Sequence, residues 1–185
     1  MCLPRSAHFS AWLPESVAVE TLREVYDLAR LRPTSANASP ARFVFLTTEE
    51  AKARLLPALM PANVGKTKTA PVTVIVAWDS EFYEKLPGLF PQADFRPMFA
   101  GNRALSDETA FRNGSLRAGH FILAARALGL DCGPMSGFDP AKVNAEFFPD
   151  GKWKVNLLVN LGYGDRSGLS PRNPRLEFDE ACLVL

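Results

Sequence analysis

The sequence predicts an α+β layered domain with few strands and much helix. Three stretches carry that prediction. Val72-Thr73-Val74-Ile75-Val76-Ala77 is a β-branched, nearly continuous apolar run, as expected of a central strand buried on both faces. Residues 17–31 place Leu22, Val25, Tyr26 and Ala29 at i, i+3, i+4 and i+7, with Leu28 widening the stripe, so they form an amphipathic helix. Residues 107–128 read as the longest helix. Phe121, Ile122, Leu123, Ala124, Ala125, Ala127 and Leu128 make it apolar on nearly all sides, which suits burial in a core plus a subunit interface.

A chain of 185 residues is expected to form one domain, residues 1–185, large enough for a real core. Hydrophobic content of 47% and charged content of 22% are those of a soluble globular protein. The net charge of +1 gives no electrostatic case for nucleic acid or an anionic membrane. No apolar run reaches membrane-span length, and Met1-Cys2-Leu3-Pro4-Arg5 lacks a signal-peptide core, so a cytoplasmic protein is expected. Cys2, Cys132 and Cys182 are too few and scattered for a disulfide framework or a metal site, and read as buried or incidental thiols. Only His8 and His120 are present, and His120 falls in a helical apolar run as a packed core imidazole. Such scarcity argues against histidine-driven chemistry and for a reactive group supplied by a cofactor.

In chain order, residues 1–16 lack a period and form an N-terminal arm. Its Phe9, Trp12 and Leu13 need something to pack on, the domain itself or a partner subunit. The first helix has Glu20 early and Arg30 and Arg32 late, which suits its dipole, and Pro33 ends it. Phe43-Val44-Phe45-Leu46 is strand-like. Thr47 and Glu50 stand at capping-box spacing before a short helix from Glu49 to about Leu56. Residues 63–69 are a polar, cationic segment before the central strand. Ser80 is placed to cap a short helix over 81–86. Residues 87–103 read as irregular, with Phe90, Phe95 and Phe99 among prolines and glycines, either a binding lid or a loop tethered by core aromatics. Ser106-Asp107-Glu108 opens the longest helix and Gly129 closes it. Asp139-Pro140 starts a helix reaching about Phe147, Pro149-Asp150-Gly151 turns, and residues 154–161 form the last strand.

Four polar clusters stand out. Pro33-Thr34-Ser35-Ala36-Asn37-Ala38-Ser39-Pro40 is dense in short donors and acceptors between two prolines, either a helix-stopping turn or a rigid ligand loop. Asn63 and Lys66 form a second cluster. Gly133-Pro134-Met135-Ser136-Gly137 is a simple turn or a segment whose glycines admit a flat ligand. Arg172 and Arg175 suit a phosphate or a solvated basic tail. Gly162-Tyr163-Gly164-Asp165-Arg166-Ser167-Gly168 is not a dinucleotide loop. Its spacing is G-x-G-x-x-x-G, and Pro171 and Pro174 preclude the helix that such a loop requires. Asn113-Gly114-Ser115 matches a glycosylation sequon by chance.

In this order the four clusters resemble the FMN-dependent nitroreductase family, over the chain from about residue 17 to 185. The first resembles that family's P-S-x-x-N-x-Q-P loop, Asn63 and Lys66 its N-x-x-K pair, residues 133–139 its P-x-E-G-F-D segment, and Arg172 with Arg175 its C-terminal basic pair. PTSANASPAR (33–42), APVTVIVAWDSE (70–81), TAFRN (109–113), ALGLDCGPMSGF (127–138) and LGYGD (161–165) further resemble its malonic semialdehyde reductase subgroup. The family's loop glutamine is Ser39 here and its loop glutamate is Ser136. Aligned on Trp12, Ala7 stands where an FMN-binding arginine belongs, and Arg5 substitutes only with two residues looped out.

The resemblance implies a nitroreductase-like layered fold, a mainly antiparallel central sheet flanked by helices, in a homodimer with FMN at the subunit interface. It implies FMN contacts from Ser35, Asn37 and Ser39 across that interface. Asn63 and Lys66 would lie at the ring's pyrimidine edge, Pro134, Met135, Ser136 and Gly137 along the ring, and Arg172 and Arg175 at the phosphate. It implies ping-pong hydride transfer through flavin N5 from NADH or NADPH to a small acceptor, malonic semialdehyde becoming 3-hydroxypropanoate. Arg112 is a candidate contact for the acceptor's carboxylate. A broad nitro, quinone or flavin reductase, and a flavin-binding protein without turnover, are the alternatives.

Overall fold

The computed structural model describes residue 9, residues 11–167, residue 169 and residues 171–185. The readings made on Cys2, Arg5, Ala7, His8 and Gly168 lie outside the described residues. Four strands form one sheet in the order β1-β2-β4-β3, every neighbouring pair antiparallel: β1 (Ala41–Leu46), β2 (Val72–Asp79), β3 (Asp131–Met135) and β4 (Trp153–Gly162). Central strand β2 is buried along its whole length, as its β-branched run predicts. Its alternate residues feed two cores. Val72, Val74 and Val76 join Leu22, Val25, Phe121 and Ala125 beneath helices α1 (Val19–Arg30) and α6 (Arg103–Ala127). Ile75 and Ala77 join Leu55, Val143 and Phe148 beneath α2 (Glu49–Leu55) and α7 (Pro140–Phe147).

Several elements differ from expectation for identifiable reasons. In α1, Leu22, Val25 and Ala29 are buried, but Tyr26 and Leu28 are exposed. Thr48, not Thr47, caps α2, its Oγ1 accepting from the Ala51 N–H at 3.2 Å. The polar segment before β2 is a helix, α3 (Pro61–Thr69). It buries only Asn63 and Thr67, so it shows no apolar stripe. Ser80 makes no side-chain cap. The short helix expected over 81–86 is a 3-10 turn (Phe82–Lys85) running into α4 (Leu86–Leu89), and α5 (Arg96–Ala100) forms in the stretch 87–103 that reads as irregular. Their aromatics build a third core with Ala38, Trp78 and Ala110. Phe82 meets Phe99 edge-on at 5.0 Å, and Phe90 stacks on Phe95 at 5.6 Å. Helix α6 starts ahead of Ser106 because the Asn102 side chain accepts from the Leu105 N–H at 3.1 Å. One face of α6 stays open: Phe111, Leu116 and Leu123 are exposed. Asp139 caps α7 as expected, accepting from Ala141 N–H at 2.9 Å and Lys142 N–H at 3.2 Å. The chain ends in α8 (Phe178–Ala181) and an exposed apolar tail. Among the described residues, no helix is long and apolar enough to cross a membrane, and no group of acids, histidines and cysteines could hold a metal ion.

The described residues of the N-terminal arm, Phe9 and those from Ala11 on, dock on the domain. Phe9 is fully buried and Trp12 nearly so, while Leu13 remains exposed. Trp12 bridges Gly164, the Leu13 N–H donates to Tyr163 O at 2.8 Å, and the Asp165 N–H donates to Ala11 O at 3.0 Å. This docking accounts for a glycine of the rejected dinucleotide pattern. A Cβ on Gly164 would stand 1.9 Å from Phe9 Cδ1. We expect Gly164→Ala to destabilise the fold by about 1–3 kcal/mol through overpacking. In a Phe9→Ala background the same substitution should have little effect. Equal losses of urea midpoint in both backgrounds would remove the Phe9 contact as the cause.

Candidate functional site

The 33–40 loop is strained and fixed from several sides. Pro33 follows the end of α1, and a 3-10 turn (Ser35–Asn37) comes next. Ala36, Asn37 and Ser39 have φ of 46°, 49° and 41°, left-handed values that disfavour non-glycine residues by about 1–2 kcal/mol each. Strain of this kind persists only where surroundings over-determine it. The Ser35 N–H donates to Asn113 Oδ1 at 2.9 Å, and Asn113 Nδ2 donates to Ser35 Oγ at 3.3 Å. Asn37 Nδ2 donates to Leu89 O at 2.8 Å, tying the loop to α4. The Ser39 N–H donates to Thr34 Oγ1 at 3.1 Å, Arg42 Nη1 donates to Ser39 O at 3.0 Å, and Arg117 Nη2 lies 3.5 Å from Ser39 Oγ. Arg42 is itself held by Asp79 at 2.6 Å. Thus the loop is the turn that its composition suggested, held by hydrogen bonds on several sides.

A second polar group forms where α3 meets the end of edge strand β3. Asn63 is buried, and its Nδ2 donates to Gly137 O at 2.7 Å; the Met60 N–H donates to the same carbonyl at 3.0 Å. Lys66 lies one turn further along α3 and is half-buried. In the neighbouring segment Pro134 and Ser136 are exposed, Met135 is buried and Gly137 is intermediate. The two glycines serve protein packing here. A Cβ on Gly133 would lie 2.6 Å from Phe9 O, and one on Gly137 would lie 2.7 Å from Asn63 Nδ2. Beneath this group is a fully buried polar network. Thr73 Oγ1 donates to Asn160 Oδ1 at 2.8 Å, and Asn160 Nδ2 donates to Thr67 Oγ1 at 3.3 Å.

The structure therefore brings Asn63, Lys66, Pro134, Met135, Ser136 and Gly137 together, and Ser35, Asn37 and Ser39 together. Hydrogen bonds from the second set run to α6, α4 and β1, not to the first set. Arg172 and Arg175 are exposed on the tail, where Arg175 Nη1 donates to Asn173 O and Pro174 O. Exposed Arg112 pairs with Glu108 one turn earlier on α6. Asn113, Arg117, Thr67 and Asn160 escaped the sequence reading. For Asn113 and Arg117 the available signal was polar residues at i, i+4 on the small-residue face of a buried helix.

Burial is the largest cause of the shifts at Arg117, His120 and Cys132. It lowers the Arg117 pKa, and it lowers that of His120 with help from the nearby Arg117 and Arg32 charges. The buried Cys132 thiol is pushed from 9.0 up to about 12 by desolvation, so it is inert at neutral pH.

The model of the nitroreductase family matches residues 10–163. A Ralstonia nicotianae protein named "Putative NADH dehydrogenase/NAD(P)H nitroreductase" is 55% identical over 176 residues, which cover 95% of this chain and 90% of that protein. The crystal structure of a Bacillus subtilis protein named as a putative nitroreductase superposes with a TM-score of 0.90 at 21% identity, covering 100% of this chain and 97% of the other. A similarly named Exiguobacterium sibiricum protein, crystallised in complex with FMN, superposes with a TM-score of 0.86 at 20% identity, covering 100% and 95%. These likenesses show the nitroreductase fold.

The raised Cys132 pKa yields a signed pH dependence. Between 9.0 and about 12 the unfolded thiol loses its proton while the folded one keeps it. The stability from the buried thiol is thus complete below pH 9.0 and falls as pH rises through that window. We expect the difference in unfolding free energy between wild type and Cys132→Ala to be flat up to pH 9.0 and to shrink above it. A difference that stays flat to pH about 10.5 would contradict this.

Proposed function

This chain belongs to the nitroreductase family, and we propose that it is an FMN-dependent NAD(P)H oxidoreductase acting as a homodimer. The observation that carries the proposal is the Asn63–Gly137 hydrogen bond of 2.7 Å, which joins α3, with Lys66, to the exposed segment around Ser136. The donor set suits FMN, an acceptor-rich ring bearing a phosphate. Asn63, Lys66, Ser35, Asn37, Ser39, Arg172 and Arg175 supply donors and cations, with no carboxylate among them. Asn63 and Lys66 would hold the pyrimidine edge, Pro134, Met135, Ser136 and Gly137 would lie along the ring, and Arg172 and Arg175 would grip the phosphate. FMN, when bound, supplies a two-electron relay at N5 from NADH or NADPH to the acceptor, in a ping-pong sequence. Lys66 would supply a positive charge to the flavin's pyrimidine edge.

Two features support assembly from two chains. The 33–40 loop lies with α6 on one face of the sheet, whereas Thr67 of α3 bonds Asn160 from the other. Exposed Phe111, Leu116 and Leu123 on α6, with Leu176, Phe178, Leu183, Val184 and Leu185 on the tail, form apolar surface that a second copy would cover. Ser35, Asn37 and Ser39 would then reach FMN held mainly by the partner subunit.

For the acceptor we propose malonic semialdehyde, reduced by NAD(P)H and a proton to 3-hydroxypropanoate. This rests on the subgroup segments around residues 33–42 and 127–138. Arg112 would exchange Glu108 for the substrate carboxylate. The relative's name favours a second reading, a broader nitroreductase. Steady-state rates on malonic semialdehyde and on nitroaromatics, measured side by side, separate the two.

The purified protein should be yellow, release FMN on denaturation, run at twice its 20.3 kDa chain mass, and bleach under anaerobic NAD(P)H. A colourless protein whose melting temperature FMN does not raise would sink the proposal. The double variant Arg172→Ala/Arg175→Ala should bind FMN about tenfold or more weakly, with riboflavin affinity unchanged, because only FMN carries the phosphate. Equal losses for both ligands would assign the arginines another role.

A further inference from the structure

Asn113 and Arg117 stand one turn apart on α6, each 3% exposed, and the proposed reaction leaves both without a task. Each approaches a serine hydroxyl of the 33–40 loop from behind. The orientation of the Asn113 amide follows from its other partners. Oδ1 faces the Ser35 N–H at 2.9 Å and must be the acceptor, while Nδ2 faces Thr109 O at 2.9 Å and must be the donor. The second proton of Nδ2 is therefore the one that reaches Ser35 Oγ at 3.3 Å. Arg117 has donors only, so its contact with Ser39 Oγ at 3.5 Å has a single polarity too. A hydroxyl has one proton and two lone pairs. In both serines α6 engages a lone pair, which leaves the proton directed away from the helix. Ser35 is exposed and Ser39 is half-buried, so these protons face the outer side of the loop.

The backbone prevents escape from this arrangement. Ser39 is held at φ 41°, its N–H on Thr34 Oγ1 and its carbonyl under Arg42. Arg117 Nη1 donates to Ala29 O, and no carboxylate lies within 4.0 Å of its guanidinium among the described residues. A buried cation without an acid partner is costly unless its hydrogen bonds are used. Arg117 uses them on the end of α1 and on this loop.

We infer that Asn113 and Arg117 are positioning residues that set Ser35 and Ser39 as a pair of outward-pointing hydroxyl donors for an acceptor edge of the bound ligand. The inference rests on the flavin reading above, in which this loop reaches FMN, and the carbonyl oxygens and ring nitrogens of a flavin form such an edge. It also explains how serine serves at Ser39. The short side chain is made directional from behind.

The deciding variant is Asn113→Asp. It keeps the shape and the acceptor for the Ser35 N–H, but replaces the donor beside Ser35 Oγ with an acceptor, which draws the hydroxyl proton inward. Apo protein is titrated with FMN and, separately, with riboflavin, following flavin fluorescence. The expected result is a rise in Kd of about tenfold for both flavins, matching Ser35→Ala. The double variant Asn113→Asp/Ser35→Ala should bind no more weakly than Ser35→Ala alone, because both changes remove the same outward donor. Additive losses, or wild-type affinity in Asn113→Asp, would overturn the inference. Should melting curves show that Asn113→Asp does not fold, Ser35→Ala decides alone. Its side chain is exposed, and unchanged flavin affinity there would overturn the inference while leaving the flavin reading intact. A wild-type chain that binds neither flavin overturns both.

Discussion

Helix α6 carries four buried polar side chains, Ser106, Asn113, Arg117 and Arg126, and the last three reach beyond the helix for partners. Much of the architecture follows from where those partners are. Asn113 takes Ser35, Arg117 takes Ala29 O and Ser39, and Arg126 forms a buried ion pair with Asp131 of β3. The other Asp131 oxygen accepts the Gly164 N–H at 3.0 Å. The middle of α6 therefore fixes the strained loop after α1, and its C-terminal end fixes the start of β3 and the turn beyond β4. Removing one member of such a buried pair leaves an uncompensated charge, typically at a loss of about 3–5 kcal/mol.

The opposite side of the sheet uses the same device with neutral groups. Thr73, Asn160 and Thr67 link β2, β4 and α3 through fully buried hydrogen bonds. Those bonds hold α3 against the sheet at the height where Asn63 meets Gly137. The two polar surfaces are thus rigid for related reasons: each is backed by a satisfied network rather than by loop sequence alone. Antiparallel β2 is the wall between them, which is why its near-continuous apolar run is needed.

The periodic elements were legible because burial dictated their sequence. The stripe of α1, the run of β2 and the Asp139-Pro140 start of α7 all appear where hydrophobic spacing or capping chemistry places them. Helix α3 hid because a polar network, not an apolar stripe, holds it down, so its residues carry no helical period. Strand β3 hid because Gly133 and Pro134 read as a turn, although an edge strand tolerates proline at a position whose ladder bond is not required. The candidate site was half visible. Clusters of short polar residues marked the 33–40 loop, Asn63 with Lys66, and the segment around Ser136. Their supports were not visible, since Asn113 meets Ser35 across 78 residues of chain and no local pattern announces such a pairing.

The seat of Phe9 bears on how the chain acquires its structure during synthesis. The Phe9 ring lies 6.0 Å from the Arg126 guanidinium and 5.7 Å from that of Arg166, against the backbone of Gly164. All three emerge from the ribosome long after Phe9 does. An apolar segment made early must therefore wait, undocked, until nearly the whole domain has been translated. The same ring then connects opposite ends of the chain, so arm docking can serve as the closing event of folding rather than its nucleus.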